Sequence, residues 1–105
     1  MPIDVFDNLN NLHHFQTWEV FSICKDVNSR RHIARVGNDE YYFPHTIEQR
    51  RIMTEPSGFY QINQNQIVNT TLIDKYKNGK ITIGGRDYYL SDRRIRGFES
   101  FYFPY

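Results

Sequence analysis

Short runs of apolar and aromatic residues alternate with polar residues along most of the chain, a pattern typical of half-buried β-strands. Clusters of Asn, Asp, Gly and Pro separate these runs, as they do in the turns between strands. Asn78 and Gly79 lie between two such runs and predict a two-residue hairpin turn, because that turn requires two positive φ angles. The pattern predicts strands over residues 2–6, 12–15, 18–24, 31–36, 40–43, 59–62, 72–76, 80–83 and 88–90.

Two segments carry helical signals instead. Thr46 and Gln49 have the spacing of a capping box, which predicts a helix over about residues 47–54. Ser91 is a suitable N-cap for a last helix over about residues 92–102. The apolar positions of that helix recur at helical spacing and predict a buried stripe of Ile95, Phe98 and either Phe101 or Tyr102. The elements together predict a mainly β domain with two short helices.

The composition narrows the class of protein. At 105 residues the chain is expected to form a single domain over residues 1–105. Eight Tyr, eight Phe and one Trp favour β structure, and Trp18 is expected in the core with the other aromatic residues. No run approaches the ~18 apolar residues that span a bilayer, and the first ten residues lack the Lys or Arg of a secretory signal. A soluble, cytoplasmic protein without a membrane partner is expected.

Candidate catalytic and metal-binding residues are scattered. The single Cys24 excludes an internal disulfide, and nothing beside it in sequence indicates an activated thiol. His13 and His14 are neighbours on a predicted strand, so their side chains should lie on opposite faces. His32 and His45 have no carboxylate at a recognisable spacing. Neither enzymatic activity nor a cofactor or metal is therefore expected.

The charge is uneven although the net charge is only +1. Residues 1–20 contain three acids and no Lys or Arg, whereas basic residues concentrate in residues 21–35 and 75–96. Two basic segments far apart in sequence suggest one face that binds a polyanion. Two solvated charged hairpins would produce the same pattern, and charge alone leaves both interpretations open.

The second half of the chain has an ordered set of motifs. Residues 59–69 begin with Phe59 and continue into a polar loop of Asn63, Gln64, Asn65 and Gln66. An aliphatic pair and then Asn69 follow this loop. The hairpin through Asn78 comes next, and residues 89–94 then combine aromatic, aliphatic, Ser and basic residues. In this order and spacing, roughly residues 17–102 resemble the LytTR family of bacterial DNA-binding domains. The resemblance implies a layered β-sandwich of small antiparallel sheets with two short helices.

The resemblance also implies a function and a set of contacts. It implies sequence-specific binding to double-stranded promoter DNA in transcription regulation, through loops and the start of the last helix. The positions that match base-contacting residues of the family are Arg35, Gln64 and Arg93. The residues expected to contact phosphates are Arg30, Arg31, Lys80, Arg94 and Arg96. Arg35 and Arg93 have an alternative role as partners in surface ion pairs.

The polar loop departs from the family pattern. Gln61 and Asn63 occupy positions where the family usually has Arg and His, and Asn65 replaces a small hydroxyl residue. The amides of Asn63, Gln64 and Asn65 can still bond to adenine in a major groove. An exposed turn without a partner is the alternative. Asn69 is expected to be structural and to cap the backbone after the aliphatic pair.

Two functional alternatives and one question of context stay open. The less favoured alternative is a small hydrolase that uses histidines, for which the sequence offers no paired site. The near-neutral charge and the missing loop cations favour a protein-interaction module on the same fold, such as an inhibitor of a related regulator. A DNA-binding domain could also have a second copy on an adjacent site, or a protein partner. Family members usually carry a receiver domain, for which this chain has no room, so it is either a stand-alone regulator or an excised domain.

Overall fold

The computed structural model describes residues 2–29, 31–43 and 58–103. In these residues the chain is mainly β, as predicted, and the predicted helix over residues 47–54 lies outside them. The strands are β1 Pro2–Phe6, β2 Leu12–Gln16, β3 Ser22–Lys25, β4 His32–Val36, β5 Asp39–Tyr42, β6 Phe59–Asn63, β7 Gln66–Asn69, β8 Lys75–Lys77, β9 Lys80–Ile83 and β10 Arg86–Tyr89. One helix, α1, covers Asp92–Tyr102 in the described part of the chain. Single 3-10 turns lie at Thr17–Glu19 and Thr70–Leu72.

The described strands form two antiparallel sheets. The larger has seven strands in the order β2-β1-β5-β4-β3-β7-β6, and the smaller has three in the order β10-β9-β8. In the centre of the larger sheet, Ser22 on β3 lies opposite both Arg35 on β4 and Val68 on β7. A buried bond joins the sheets, since the Ser22 Oγ and the Tyr88 hydroxyl are 2.8 Å apart. The predicted mainly β architecture of small antiparallel sheets is confirmed.

Two hydrophobic clusters lie on the two faces of the larger sheet. Ile67 and Val68 are neighbours on β7 and belong to different clusters, because successive side chains of a strand point to opposite faces. The first cluster contains Ile3, Val5, Val20, Ile23, Ala34, Phe43, Phe59 and Ile67. The second, between the larger sheet, the smaller sheet and α1, contains Ile62, Val68, Ile81, Ile83, Tyr88, Leu90 and Phe98. Burial on both faces makes the domain a layered sandwich.

The hairpin turn at Asn78 and Gly79 is confirmed. Asn78 has φ 48° and Gly79 has φ 86°, the two positive values that a type I′ turn requires. The turn is also bonded to the residue that follows β10, because the Gly79 carbonyl accepts the Leu90 N–H at 2.9 Å. This bond brings the end of β10 against the hairpin immediately before α1 begins.

Helix α1 has the predicted bounds, but its cap differs from the prediction. Ser91 has the extended backbone of an N-cap, yet its hydroxyl makes no capping bond and its Oγ is buried without a partner among the described residues. Phe98 is fully buried in the stripe, whereas Phe101 is 48% exposed. The helix also packs closely, since a Cβ at Gly97 would lie 3.0 Å from the Tyr60 hydroxyl. Packing against β6 therefore compensates for the low helix propensity of Gly97.

Trp18 does not belong to the core, contrary to the prediction. The predicted strand over residues 18–24 starts later, at Ser22, because Thr17–Glu19 forms a 3-10 turn. The Glu19 carboxylate accepts the Gln16 N–H at 2.7 Å and holds this turn. As a result, the Thr17 side chain is buried and the Trp18 side chain is 64% exposed.

Asn69 has the structural role that was predicted. It is fully buried; its Oδ1 accepts the Thr71 N–H at 3.1 Å, and its Nδ2 donates to the Val20 carbonyl at 3.0 Å. Asn69 thereby caps the 3-10 turn Thr70–Leu72 and ties it to the chain before β3. The predicted strand over residues 72–76 is shorter than expected, since this turn occupies its start and β8 covers Lys75–Lys77.

Candidate nucleic-acid interface

Three chain segments meet at one end of the larger sheet. Cys24 on β3 lies opposite Ile33 on β4 and Gln66 on β7, so the end of β3, the start of β4 and the loop before β7 are level with one another. The Lys25 N–H donates to the Asn65 carbonyl at 2.8 Å and fixes this arrangement. We call this end, formed by residues 25–29, 31 and 63–66, the polar-loop end.

Within the polar loop, residues 63–66, the four consecutive amide side chains have different environments. The Asn63 Oδ1 accepts the Asn65 N–H at 2.9 Å, and the Asn63 Nδ2 donates to the Gln66 Oε1 at 2.8 Å. Asn63 therefore shapes the turn with both ends of its amide. Gln64 is exposed, and its amide has no hydrogen-bond partner among the described residues. The loop thus has two side-chain amides without a hydrogen-bond partner among the described residues, that of the exposed Gln64 and that of the half-buried Asn65, on a backbone that Asn63 fixes.

Lys25 is a site residue that the sequence analysis did not select. It lines a shallow groove of about 450 Å³ together with Val27, Gln64 and Asn65. The sequence places Lys25 in the first basic segment, residues 21–35, but it does not distinguish Lys25 from the other three cations of that segment. The pairing of β3 with β7 brings Lys25 beside the polar loop, whereas Arg35 lies far along β4 from it.

The start of α1 lies next to the same loop. The Ser91 N–H donates to the Ile62 carbonyl at 3.1 Å, one residue before the polar loop begins. Arg93 is exposed in the first turn of α1, and Arg94 beside it is half-buried. Lys80 follows Gly79, which is bonded to the chain just before α1. These backbone bonds connect the chain before Arg93 and Arg94 to Ile62, two residues before Gln64, and to Gly79, one residue before Lys80.

Arg31 and Arg96 are two further exposed cations of the predicted set. The guanidinium carbon of Arg31 lies 4.2 Å from the centre of the Tyr42 ring, a cation–π contact that orients the side chain over β5. Arg30 lies outside the described residues.

Arg35 is not brought to the polar-loop end. It lies four residues after Arg31, or about 14 Å along β4 at the usual rise of a strand. Its side chain is 17% exposed, and its Nη1 is 3.9 Å from the Glu40 Oε2 on β5. The contact between Arg35 and Glu40 therefore supports the ion-pair alternative for Arg35, although 3.9 Å is a long distance for an ion pair.

Acidic residues collect away from the polar loop. A second groove, of about 460 Å³, includes Asp7, Asp39 and Glu40 among its lining residues. Asp39 lies opposite Val36, at the far end of β4 from Arg31. The His13 Nε2 is 2.9 Å from the Asp7 carboxylate, and mainly this bond lowers the pKa of Asp7 to about 2. This acidic groove is thus separated in space from the polar-loop end, where Asp26 is the one acidic residue.

Other chemistry has little support in the described part of the chain. His13 pairs with Asp7 while His14 pairs with Asp4, so the two imidazoles serve different carboxylates. Burial raises the pKa of the Cys24 thiol, which disfavours the nucleophilic thiolate at neutral pH. Across residues 2–29, 31–43 and 58–103, no group of three or more His, Cys, Asp or Glu side chains is arranged to hold a metal ion. No helix among these residues is long and apolar enough to cross a membrane.

Fold and site together define a small β-sandwich domain that presents cations and a free amide on loops at one end. The family model of the LytTr DNA-binding domain matches residues 8–102, and the chain therefore belongs to this family of DNA-binding domains. The chain also has the fold of a solved structure described as the LytTr DNA-binding domain of a putative methyl-accepting/DNA response regulator from Bacillus cereus. The TM-score is 0.76 with 8% sequence identity, and the match covers 95% of each chain. No curated protein matched this sequence.

Proposed function

We propose that this domain is a sequence-specific regulator of transcription that contacts double-stranded promoter DNA through the polar loop and the start of α1. The observation that carries the proposal is the free amide of Gln64 between Lys25 on one side and the start of α1 on the other. Membership of a DNA-binding family supports DNA as the partner. The separation of basic from acidic residues supports the polar-loop end as the surface that approaches it.

The side chains of this surface divide into two proposed roles. Gln64 and Arg93 are exposed on fixed backbone and contact bases, since a Gln amide pairs with adenine and an Arg guanidinium with guanine in the major groove. The cations around them contact phosphates, which adds affinity without sequence information. These proposed phosphate contacts are Lys25, Arg31, Lys80, Arg94 and Arg96, with Arg30 added from the sequence alone.

Asn63, Asn65 and Arg35 have weaker support as direct contacts. Asn63 already uses both ends of its amide within the loop, so its proposed role is to hold Gln64 in place. Asn65 lines the groove and can contact DNA that enters it. Arg35 reaches DNA only if the duplex extends along β4, and Glu40 then competes for its guanidinium.

The proposal is tested by selection from a library of random-sequence DNA duplexes, followed by affinity measurements on the enriched sequence. We expect one enriched motif, and weaker binding by about 1–3 kcal/mol for each mismatched base pair. Recovery of no motif, with no binding to any duplex, would overturn the proposal and favour the protein-interaction alternative.

Gln64→Ala is expected to reduce discrimination between A·T and G·C at one base pair by about 1–3 kcal/mol. The melting temperature should stay nearly constant, because an exposed side chain away from caps and core usually changes stability by no more than ~0.5 kcal/mol. Asn63→Ala is the contrasting variant: it removes two loop hydrogen bonds and should lower the melting temperature. If Gln64→Ala is destabilised but keeps its base preference, Gln64 does not contact bases.

Arg93→Ala and Arg96→Ala separate the two roles of the helix cations. Both arginines are exposed on α1, which makes them matched substitutions. Arg93→Ala should lose about 1–3 kcal/mol of binding and relax the preference at one position, whereas Arg96→Ala should weaken matched and mismatched sites equally. Affinities of both variants for the selected site and its single-base variants measure the difference. A uniform loss in both variants would contradict base contact by Arg93.

A further inference from the structure

Val27 is an aliphatic residue at the tip of the turn between β3 and β4, and it is 71% exposed. Its neighbours in this turn, Asp26, Asn28 and Ser29, are all polar. Single exposed apolar residues are common on protein surfaces, so exposure alone assigns no role to Val27. Its position relative to the polar loop does.

Val27 and Gln64 line the same groove. The hydrogen bond from the Lys25 N–H to the Asn65 carbonyl, 2.8 Å long, connects the two turns that carry these side chains. A base pair that contacts the Gln64 amide would therefore lie at the groove that Val27 also lines.

Asp26 makes three hydrogen bonds to described residues of the turn that carries Val27. The Asp26 carboxylate accepts the Asn28 N–H at 3.0 Å and the Ser29 hydroxyl at 2.9 Å. The Asp26 N–H donates to the Arg31 carbonyl at 2.8 Å and closes the turn. Val27 has one side-chain torsion, which its branched Cβ restricts further. Little conformational freedom remains to be lost when it contacts a ligand.

In the major groove of DNA, the 5-methyl group of thymine is the apolar group that side chains contact. We propose that Val27 contacts the thymine 5-methyl group in, or next to, the A·T pair whose adenine bonds to Gln64. This inference rests on the proposed function, and it assigns a second specificity-determining residue to the same surface. The amide and the aliphatic group together match the two features that an A·T pair shows in that groove.

The test replaces each thymine of the selected duplex, one at a time, with deoxyuridine, which lacks the methyl group. For the unaltered protein we expect one position at which affinity falls about fourfold, the factor for burial of one methyl-sized group. Val27→Ala should bind the thymine and deoxyuridine duplexes equally at that position. Leu9→Ala is the matched control, since Leu9 is 76% exposed in a turn beside the acidic groove, and it should keep the fourfold difference.

The possible results are distinct. If the protein selects a motif through Gln64 but no thymine is sensitive to deoxyuridine, or if Val27→Ala keeps the sensitivity, the role of Val27 is overturned while the proposed function stands. If no motif is selected, both fail. The melting temperature of Val27→Ala is measured in parallel, and it should equal that of the unaltered protein because Val27 lies outside both hydrophobic clusters.

Discussion

Affinity for the selected duplex should fall about 500-fold when the salt concentration rises from 50 to 200 mM. The five phosphate contacts proposed among the described residues release about 0.9 counterions each, so log K plotted against log salt should have a slope of about −4.5. The fourfold increase in salt concentration, raised to the power of about 4.5, gives the expected loss of affinity of about 500-fold. Titrations by fluorescence anisotropy at four or more salt concentrations measure the slope.

Single substitutions test which cations contribute to that slope. Lys25→Ala should reduce its magnitude by about 0.9, since it removes one phosphate contact. Lys75→Ala is the matched control: Lys75 is exposed and lies opposite Thr82, at the far end of β8 and β9 from Lys80. A flat salt response, equal effects of the two substitutions, or no binding at 50 mM would contradict the proposed surface.

Elements whose signals lie within a few residues could be predicted from the sequence. The turn at Asn78 and Gly79 follows from the φ angles that these two residue types tolerate. The apolar spacing predicts the bounds of α1, Asp92–Tyr102, and Ser91 takes the N-cap position although its hydroxyl makes no capping bond. The role of Asn69 followed from its place after a buried pair, and two of its bonds join residues close in sequence.

Two features could not be predicted: a local turn whose residue types favour a strand, and a site that depends on distant contacts. Trp18 is a residue type that favours strands. The hydrogen bond between Glu19 and Gln16 instead stabilises a 3-10 turn in which the Trp18 ring is exposed. Lys25 and Asn65 are forty residues apart in sequence, and only the pairing of β3 with β7 makes them neighbours. The family resemblance implies some positions of the candidate site, such as Gln64 and Arg93. Only the fold identifies the cation Lys25 and the aliphatic residue Val27 beside them.

Phe98→Ala should produce the largest loss of stability among the substitutions considered, about 3–5 kcal/mol. Phe98 is fully buried between α1, β6 and β8, with its ring centre 5.3 Å from that of Tyr60 and 5.1 Å from that of Tyr76. Its removal costs the transfer free energy of the ring and leaves a cavity that a closely packed helix cannot fill. Small domains have total stabilities of about 5–15 kcal/mol, so the melting temperature should fall by roughly 15 °C or more.

Phe101→Ala is the matched control, because it removes the same side chain from the same helix. Phe101 is 48% exposed, and its ring lies 5.1 Å from that of Tyr60 between centres, so we expect a loss of about 1 kcal/mol or less. Urea denaturation of both variants, with equal m-values as the sign of unchanged two-state unfolding, measures the difference. Similar losses for the two substitutions would mean that α1 is held by its aromatic surface as a whole. A much larger loss for Phe98→Ala means that this one ring anchors the helix, and with it the position of Arg93 beside the polar loop.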